Sequence, residues 1–232
     1  MNLSIDESKK FINKLNAKDL DKGNSQIVLC PSFISILLIS ELNNDSKISL
    51  GAQNIHFEDL GAYTGEVSAK MLKDAGAKYV IIGHSERREF FAETDESINA
   101  KMIQAVKFGL IPILCIGELI SDRQLQNTEM ILRSQLQLGL ENVNGEYIIA
   151  YEPIWAIGSG QAASCETIAS THKLIRKILR ELNIKENVSL LYGGSVSTSN
   201  ASEISKIKNV DGFLIGGASL NIEKFYDIYL NL

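Results

Sequence analysis

The sequence predicts one α/β domain of the eight-fold (β/α) barrel class, with the opening strand of the barrel missing. Short runs of apolar, often β-branched residues alternate with longer segments of helical period, which is the pattern of βα units around a parallel sheet. Most of the short runs are almost wholly apolar, as strands covered on both faces are. No Pro/Gly/Ser-rich linker and no shift of composition divides the chain, so we expect a single domain over 1–232.

Seven strand-like runs can be read: QIVLC (26–30), ISLGAQ (48–53), KYVIIG (78–83), LIPILCIG (110–117), EYIIAYE (146–152), VSLLYGG (188–194) and GFLIGG (212–217). A helix over about 4–17 precedes them, because Ser4 and Glu7 have the spacing of a capping box. A complete barrel needs a strand before that helix and typically has ~250 residues. An open doubly wound sheet is the alternative on pattern alone, but CPSF (30–33) is not the Gly-rich phosphate loop which that fold usually carries.

Two further amphipathic helices are expected between the strands, at 95–108 after Thr94 and at 166–182 after Ser164. Thr94 and Ser164 are suitable N-cap residues for them, because a side-chain oxygen at that position accepts a free N–H of the first turn. Helices of this kind between apolar strands are what a parallel sheet requires for its outer face.

Composition and charge exclude several classes of protein. The chain has 23 Lys and Arg against 28 Asp and Glu, a net charge of −5, without the basic cluster of a nucleic-acid-binding protein. No run approaches the ~18 apolar residues of a membrane span, and the N-terminal residues have no signal-peptide layout. Cys30, Cys115 and Cys165 lie far apart and form no CxxC pair, which favours a reducing compartment and neither a disulfide framework nor a metal site. We therefore expect a soluble cytoplasmic protein.

Barrel enzymes place their active groups at the C-terminal ends of strands, and Glu152 ends one. A carboxylate there could be a solvated strand end or the partner of a helix N-terminus. The functional alternative is a general base that works under a lid which excludes water. The segment 153–160 suits such a lid, because Pro153 stiffens its start while Gly158 and Gly160 allow unusual dihedral angles near its end.

His84 follows another strand, directly before a charged run. It could be a packed or capping residue, or a neutral imidazole that donates a hydrogen bond to a substrate oxygen if a helix N-terminus keeps it uncharged. His56 and His172 are expected to be structural or solvent-facing. Glu86 is either a second carboxylate of the site or the salt partner of a neighbouring arginine, and the spacing does not decide between these two.

Two glycine pairs end the last two strands, Gly193-Gly194 beside Ser195 and Gly216-Gly217. Singly they are ordinary turn residues. Together they allow backbone N–H groups to face a phosphate at a short helix N-terminus, which is the recurrent phosphate site of this barrel class. From the residues alone we expect a small phosphate ester as ligand and one carboxylate as base.

Six segments resemble, in order and spacing, the motifs of the triosephosphate isomerase family. They cover the chain from about residue 26: AQNIHFEDLGAYTGEVS (52–68), IGHSERR (82–88), CIGE (115–118), AYEPIWAIGSG (150–160), LLYGGSV (190–196) and LIGGASL (214–220). The resemblance implies a TIM barrel that interconverts D-glyceraldehyde 3-phosphate and dihydroxyacetone phosphate in glycolysis and gluconeogenesis, without a cofactor or a metal. A phosphate-binding barrel of the indole pathway would share the glycine pairs but not the lid.

The same resemblance assigns roles to residues. Glu152 would be the base that takes a proton from the carbon beside the carbonyl, His84 the neutral electrophile, and Glu86 a supporting carboxylate. The phosphate would rest on backbone amides of four residues: Gly158, Ser195, Gly216 and Gly217. The loop 52–68 would insert into a second subunit of a homodimer, with Thr64 at the contact.

One departure from the family pattern concerns its first strand, which ends in an Asn-x-Lys motif with the ammonium group beside the substrate. This sequence starts Met1-Asn2, as if just after that motif, and Lys9, Lys10 and Lys14 belong to the first helix. We expect a misplaced start or a shortened chain, with impaired activity. A relative that binds small phosphate esters without catalysis is the alternative.

Overall fold

Seven parallel strands form one sheet in a computed structural model, which describes residues 1–23, 25–156, 163–184 and 187–232. The strands are β1 (Ile27–Leu29), β2 (Ile48–Ala52), β3 (Tyr79–Ile82), β4 (Ile111–Ile116), β5 (Ile148–Tyr151), β6 (Leu190–Tyr192) and β7 (Gly212–Phe213). Each strand pairs with the next one along the chain, in the order β1 to β7. The predicted series of seven parallel strands is therefore confirmed, and the doubly wound alternative is excluded by this sequential order.

The α-helices lie between the strands and outside the curled sheet. They are α1 (Ile5–Asn16), α2 (Phe33–Leu42), α3 (Ala69–Asp74), α4 (Ser85–Phe90), α5 (Asp95–Lys107), α6 (Ile120–Gln124), α7 (Thr128–Gly139), α8 (Cys165–Glu181), α9 (Ala201–Ile204) and α10 (Ile222–Leu230). Short 3-10 turns occur at Leu20–Lys22, Ile154–Ala156 and Gly217–Leu220. No helix in the described part of the chain is long and apolar enough to span a bilayer.

The predicted helix starts are confirmed at three places. Ser4 and Glu7 form a complete capping box at α1, and Thr94 and Ser164 each accept a backbone N–H of the first turn of α5 and α8. These side chains satisfy N–H groups that a helix leaves without an internal partner, so the helices begin where the sequence places the oxygen.

Side chains that alternate between the two faces of the strands divide the core into two layers. Val80 and Ile82 of β3 pack outward against the helices, whereas Tyr79 and Ile81 of the same strand pack inward with residues of β4 and β5. Successive side chains of a strand point to opposite faces, so strands covered on both faces have to be apolar throughout. The near-continuous apolar runs of the sequence have this origin.

His172 of α8 is completely buried, which confirms its predicted structural role over a solvent-facing one. Its ring lies edge-on to Tyr151 of β5, and Nδ1 is 3.0 Å from the carbonyl oxygen of Asn209. Burial lowers the pKa of His172 from 6.5 to about 4. The folded protein therefore keeps this imidazole neutral at a pH where the unfolded chain protonates it.

We predict that His172 makes the protein acid-sensitive. Between pH 6.5 and about 4 the unfolded state binds the extra proton, so the free energy of unfolding falls with decreasing pH, by up to about 3 kcal/mol from this group. Urea unfolding of the wild type and of His172→Gln at several pH values measures the effect. The pH slope should be shallower in the variant, and equal slopes would contradict the prediction.

Candidate active site

Glu152 directly follows β5 and is buried, with 2% of its side chain exposed. Its backbone N–H donates to the Ile116 carbonyl at the end of β4, at 2.7 Å. Oε2 of its carboxylate accepts the backbone N–H of Ser85, the first residue of α4, at 3.0 Å. The solvated strand end considered above is thereby excluded, and in this state the carboxylate is the partner of a helix N-terminus, where negative charge is favoured.

His84 lies at the end of β3 and is the N-cap residue of α4. Its Nδ1 accepts the Glu86 N–H at 3.3 Å, so this nitrogen carries no proton and the ring proton is on Nε2. Nε2 lies 2.8 Å from Oε1 of Glu152. The structure thus brings the two predicted groups, from β3 and β5, into direct contact.

Two opposing effects act on the charge of His84. Burial lowers its pKa, whereas the neighbouring Glu152 carboxylate, and to a smaller extent Glu86, raise it, and the result lies above the ordinary value of 6.5. Protonation at Nδ1 would break the hydrogen bond that this nitrogen accepts from the Glu86 N–H. Through this bond the N-terminus of α4 favours the neutral ring. The side chain of Glu86 itself is 69% exposed, with Oε2 3.8 Å from Nδ1. The carboxylate of Glu86 therefore approaches the site only through this longer contact with the His84 ring.

Glu118, a residue without an assigned role in the sequence analysis, is fully buried at the end of β4. Its Oε1 accepts the Tyr151 hydroxyl at 3.1 Å and the Trp155 indole N–H at 3.3 Å, and Arg123 forms an ion pair with the same oxygen at 2.9 Å. These bonds hold the start of the predicted lid against β4 and β5. The only signal in the sequence was a charged residue after an apolar strand, as for Glu152.

The predicted phosphate ligands lie at the ends of β6 and β7. The Ser195 hydroxyl donates to the Ala156 carbonyl at 2.6 Å, which links the end of β6 to the start of the lid. Gly216 and Gly217 are exposed at the start of the 3-10 turn after β7, and a Cβ at either position would meet no atom within 4 Å. Their surroundings are therefore open to a ligand. Gly158, the fourth predicted ligand, and Gly160 lie outside the described residues.

Comparison with known proteins decides the family. The family model described as triosephosphate isomerase matches residues 1–232, the whole chain. The triosephosphate isomerase of Dictyoglomus turgidum is 44% identical over 231 residues, covering 96% of this chain and 92% of that protein. Those of Gloeothece citriformis and Alkaliphilus metalliredigens are 46% and 42% identical, covering 96% and 98% of this chain and 91% and 94% of their own lengths.

The chain belongs to the triosephosphate isomerase family. This confirms the resemblance, the TIM-barrel fold class and the predicted function, an isomerase that interconverts triose phosphates. Other phosphate-binding barrels are excluded with it. The sheet of this chain has seven strands in its described part, as the sequence predicted.

Gly117 holds the end of β4 against Glu152 in this family member. A Cβ at Gly117 would lie 1.8 Å from the Glu152 carbonyl oxygen and 2.9 Å from its carbonyl carbon. Hydrogen bonds of 2.8 and 3.0 Å join the Gly117 backbone to the Gln135 amide, so this glycine has little room to move away. A side chain at residue 117 would therefore displace Glu152.

We predict that Gly117→Ala lowers kcat for triose phosphates by about 10²-fold, because a shift of about 1 Å in a catalytic group has effects of that size. The free energy of unfolding should fall by about 1–3 kcal/mol through overpacking. Steady-state kinetics and urea unfolding measure both. Gly139→Ala is the matched control, because its nearest neighbour is the flexible Leu114 side chain at 3.2 Å. Equal kinetics of the two variants would contradict the prediction.

Proposed function

We propose that Glu152 is the general base of the isomerisation. It would remove a proton from the carbon beside the substrate carbonyl and return it to the neighbouring carbon, which converts aldehyde into ketone through an enediol(ate). The observation that carries this proposal is a carboxylate 2% exposed, whose Oε1 lies 2.8 Å from Nε2 of His84. A buried carboxylate at the end of a barrel strand, within hydrogen-bond reach of a second polar group, has the placement that general base catalysis requires.

His84 is proposed as the electrophile. The proton on Nε2 can be donated to the carbonyl oxygen of the substrate, and this polarises the bond and stabilises the developing negative charge. Because Nδ1 accepts the Glu86 N–H, the ring is held in the tautomer that this role needs. Glu86 is proposed to support this orientation.

The phosphate of the substrate is proposed to bind the backbone amides of Ser195, Gly216 and Gly217, with Gly158 added when the segment 153–160 closes. Neutral N–H donors suit a protein of net charge −5, since they attract an anion without bulk positive charge. Exclusion of water by the closed lid would protect the enediolate from elimination of phosphate. The bond from Ser195 to Ala156 supports a coupling between the phosphate site and the lid.

We predict that Glu152→Gln lowers kcat by about 10²–10⁴-fold, the typical contribution of a general base. The substitution also removes the negative charge beside His84, so the pKa of His84 should fall below its wild-type position because desolvation remains. A coupled assay measures the rate, and an NMR titration of the imidazole measures the pKa. An unchanged kcat would contradict the role of Glu152, and an unchanged titration would contradict the contact.

A homodimer is proposed through the loop 52–68. Phe57, Leu60 and Tyr63 of this loop are 39%, 85% and 43% exposed, and Thr64 is exposed beside them. An apolar surface of this kind on a loop is typical of a protein–protein contact. The stacking of His56 on Phe57 supports a loop with a defined shape.

Leu60→Asp should shift the protein from dimer to monomer, because a carboxylate in an apolar contact loses its hydration without gaining a partner. Sedimentation velocity at micromolar concentration measures the change. Leu125→Asp serves as the control, since Leu125 is 70% exposed in a different loop. If both variants, or neither, dissociated, the proposed contact would be wrong.

Calorimetry with 2-phosphoglycolate, a mimic of the intermediate, separates a catalyst, which binds it tightly, from a non-catalytic relative. A cytoplasmic location is also proposed, supported by three free thiols at Cys30, Cys115 and Cys165.

A further inference from the structure

Arg88 of α4 is a largely buried arginine that binds three groups at once. Its side chain is 17% exposed, and Nη1 forms an ion pair with Asp95, the first residue of α5, at 2.6 Å. The opposite edge of the guanidinium group binds backbone. Nε donates to the Gly83 carbonyl at 2.9 Å, and Nη2 donates to the Cys115 carbonyl at 3.1 Å. Arg88 therefore joins the end of β3 to the neighbouring strand β4.

These two bonds lie where the regular pairing of β3 with β4 ends. The last paired residues of the two strands are Ile82 and Leu114. Gly83 follows with a φ of +73°, a left-handed conformation that turns the chain out of the strand. The guanidinium group thus links the two backbones at the point where the chain after β3 leaves the sheet.

On the β3 side, Arg88 holds the backbone of His84 from two directions. The Gly83 carbonyl that accepts Nε belongs to the peptide group directly before His84. The backbone N–H of Arg88 donates to the carbonyl of His84 itself, at 3.1 Å. Because both carbonyls are bound, the main chain that carries the imidazole has little freedom to rotate.

On the β4 side, the bound carbonyl is next to the one that holds Glu152. Cys115 precedes Ile116, whose carbonyl accepts the Glu152 N–H at 2.7 Å. The Cys115 side chain is fully buried, so this part of β4 is firmly packed. One guanidinium group therefore connects the backbone before His84 with the strand to which Glu152 is hydrogen-bonded.

We propose that Arg88 is a positioning residue of the isomerisation, which fixes the separation of the His84 imidazole and the Glu152 carboxylate through its bonds to the Gly83 and Cys115 carbonyls. This proposal rests on the roles proposed for His84 and Glu152. The planar guanidinium group presents its donors in a rigid fork, so it can hold two carbonyls and a carboxylate at fixed separations. A lysine ammonium group on a flexible stem cannot do this.

Arg88→Lys tests the proposal, because it keeps a positive charge near Asp95 and removes the fork. We expect kcat to fall by about 10²-fold, the effect of a displacement of about 1 Å. KM should change by less than about threefold, since the proposed phosphate ligands follow β6 and β7. The coupled assay measures both values.

An NMR titration of the imidazole separates positioning from a merely structural role. Burial lowers the pKa of His84 and the nearby Glu152 carboxylate raises it. A longer separation weakens the second effect, so the pKa of His84 should fall by about 0.5 or more in Arg88→Lys. The signal is assigned by its loss in His84→Gln. A loss of kcat without a change in this titration would overturn the proposal.

Asp95→Asn is the matched control, because it removes the charge of the ion pair and leaves both carbonyl bonds of Arg88 in place. Its kcat should stay within about threefold of the wild type, and the His84 titration should not change. If Asp95→Asn lowered kcat as much as Arg88→Lys, Arg88 would act through the ion pair and the proposal would be wrong. Arg88→Gln, which keeps one amide donor, replaces the lysine variant if that variant does not fold.

The titration does not depend on turnover, so it distinguishes two kinds of failure. An unchanged kcat in Glu152→Gln would contradict the proposed function, whereas the His84 titration in Arg88→Lys would still test the positioning. A normal loss of kcat in Glu152→Gln, together with a wild-type titration and rate in Arg88→Lys, would overturn the positioning role alone.

Discussion

Burial of the Glu152 carboxylate is the constraint on which the rest of the site depends. A carboxylate with 2% exposure requires compensation, and the structure supplies it through the Ser85 N–H and the nearby His84 ring. Close approach of neighbouring backbones is part of the same requirement, because a Cβ at Gly117 or at Gly193 would lie 3.0 Å or less from an atom of Glu152. Motifs that are separate in the sequence are therefore parts of one packing arrangement around this residue.

The two buried carboxylates at the ends of β4 and β5 have different surroundings. Oε1 of Glu118 accepts two hydrogen bonds and an ion pair, from Tyr151, Trp155 and Arg123. Glu152 instead accepts the Ser85 N–H and lies against the His84 ring. The bonds of Glu118 anchor the start of the segment 153–160, whereas the contacts of Glu152 join the ends of two strands at the candidate site. Glu118 and Glu152 are the same type of residue and both lie at the end of an apolar strand, so the sequence does not distinguish them.

The position of the site within the sheet agrees with the need for a rigid scaffold. His84 follows β3 and Glu152 follows β5, and both strands are paired on two sides. β1 and β7 lie at the two ends of the strand order among the described residues. Side chains that follow doubly paired strands are held more firmly than side chains at the ends of the strand order.

Much of the architecture could be predicted from the chain alone, because it depends on neighbours in sequence. Apolar runs predicted the strands, and Ser4, Thr94 and Ser164 predicted helix starts that the structure confirms. Glu152 and His84 were found as candidates because a polar group that ends an apolar strand of a parallel sheet lies at its functional edge.

The tertiary structure alone decided the contacts between distant segments. The bond from Ser85 to Glu152 joins residues 67 positions apart, and the role of Glu118 depends on Tyr151, 33 positions away. Local pattern determines which residues form a strand and which face they occupy, since those depend on period and caps. The curvature of the sheet and the packing of its helices determine which strand ends meet. The hydrophobic period along one segment contains no information about the distance between two strand ends.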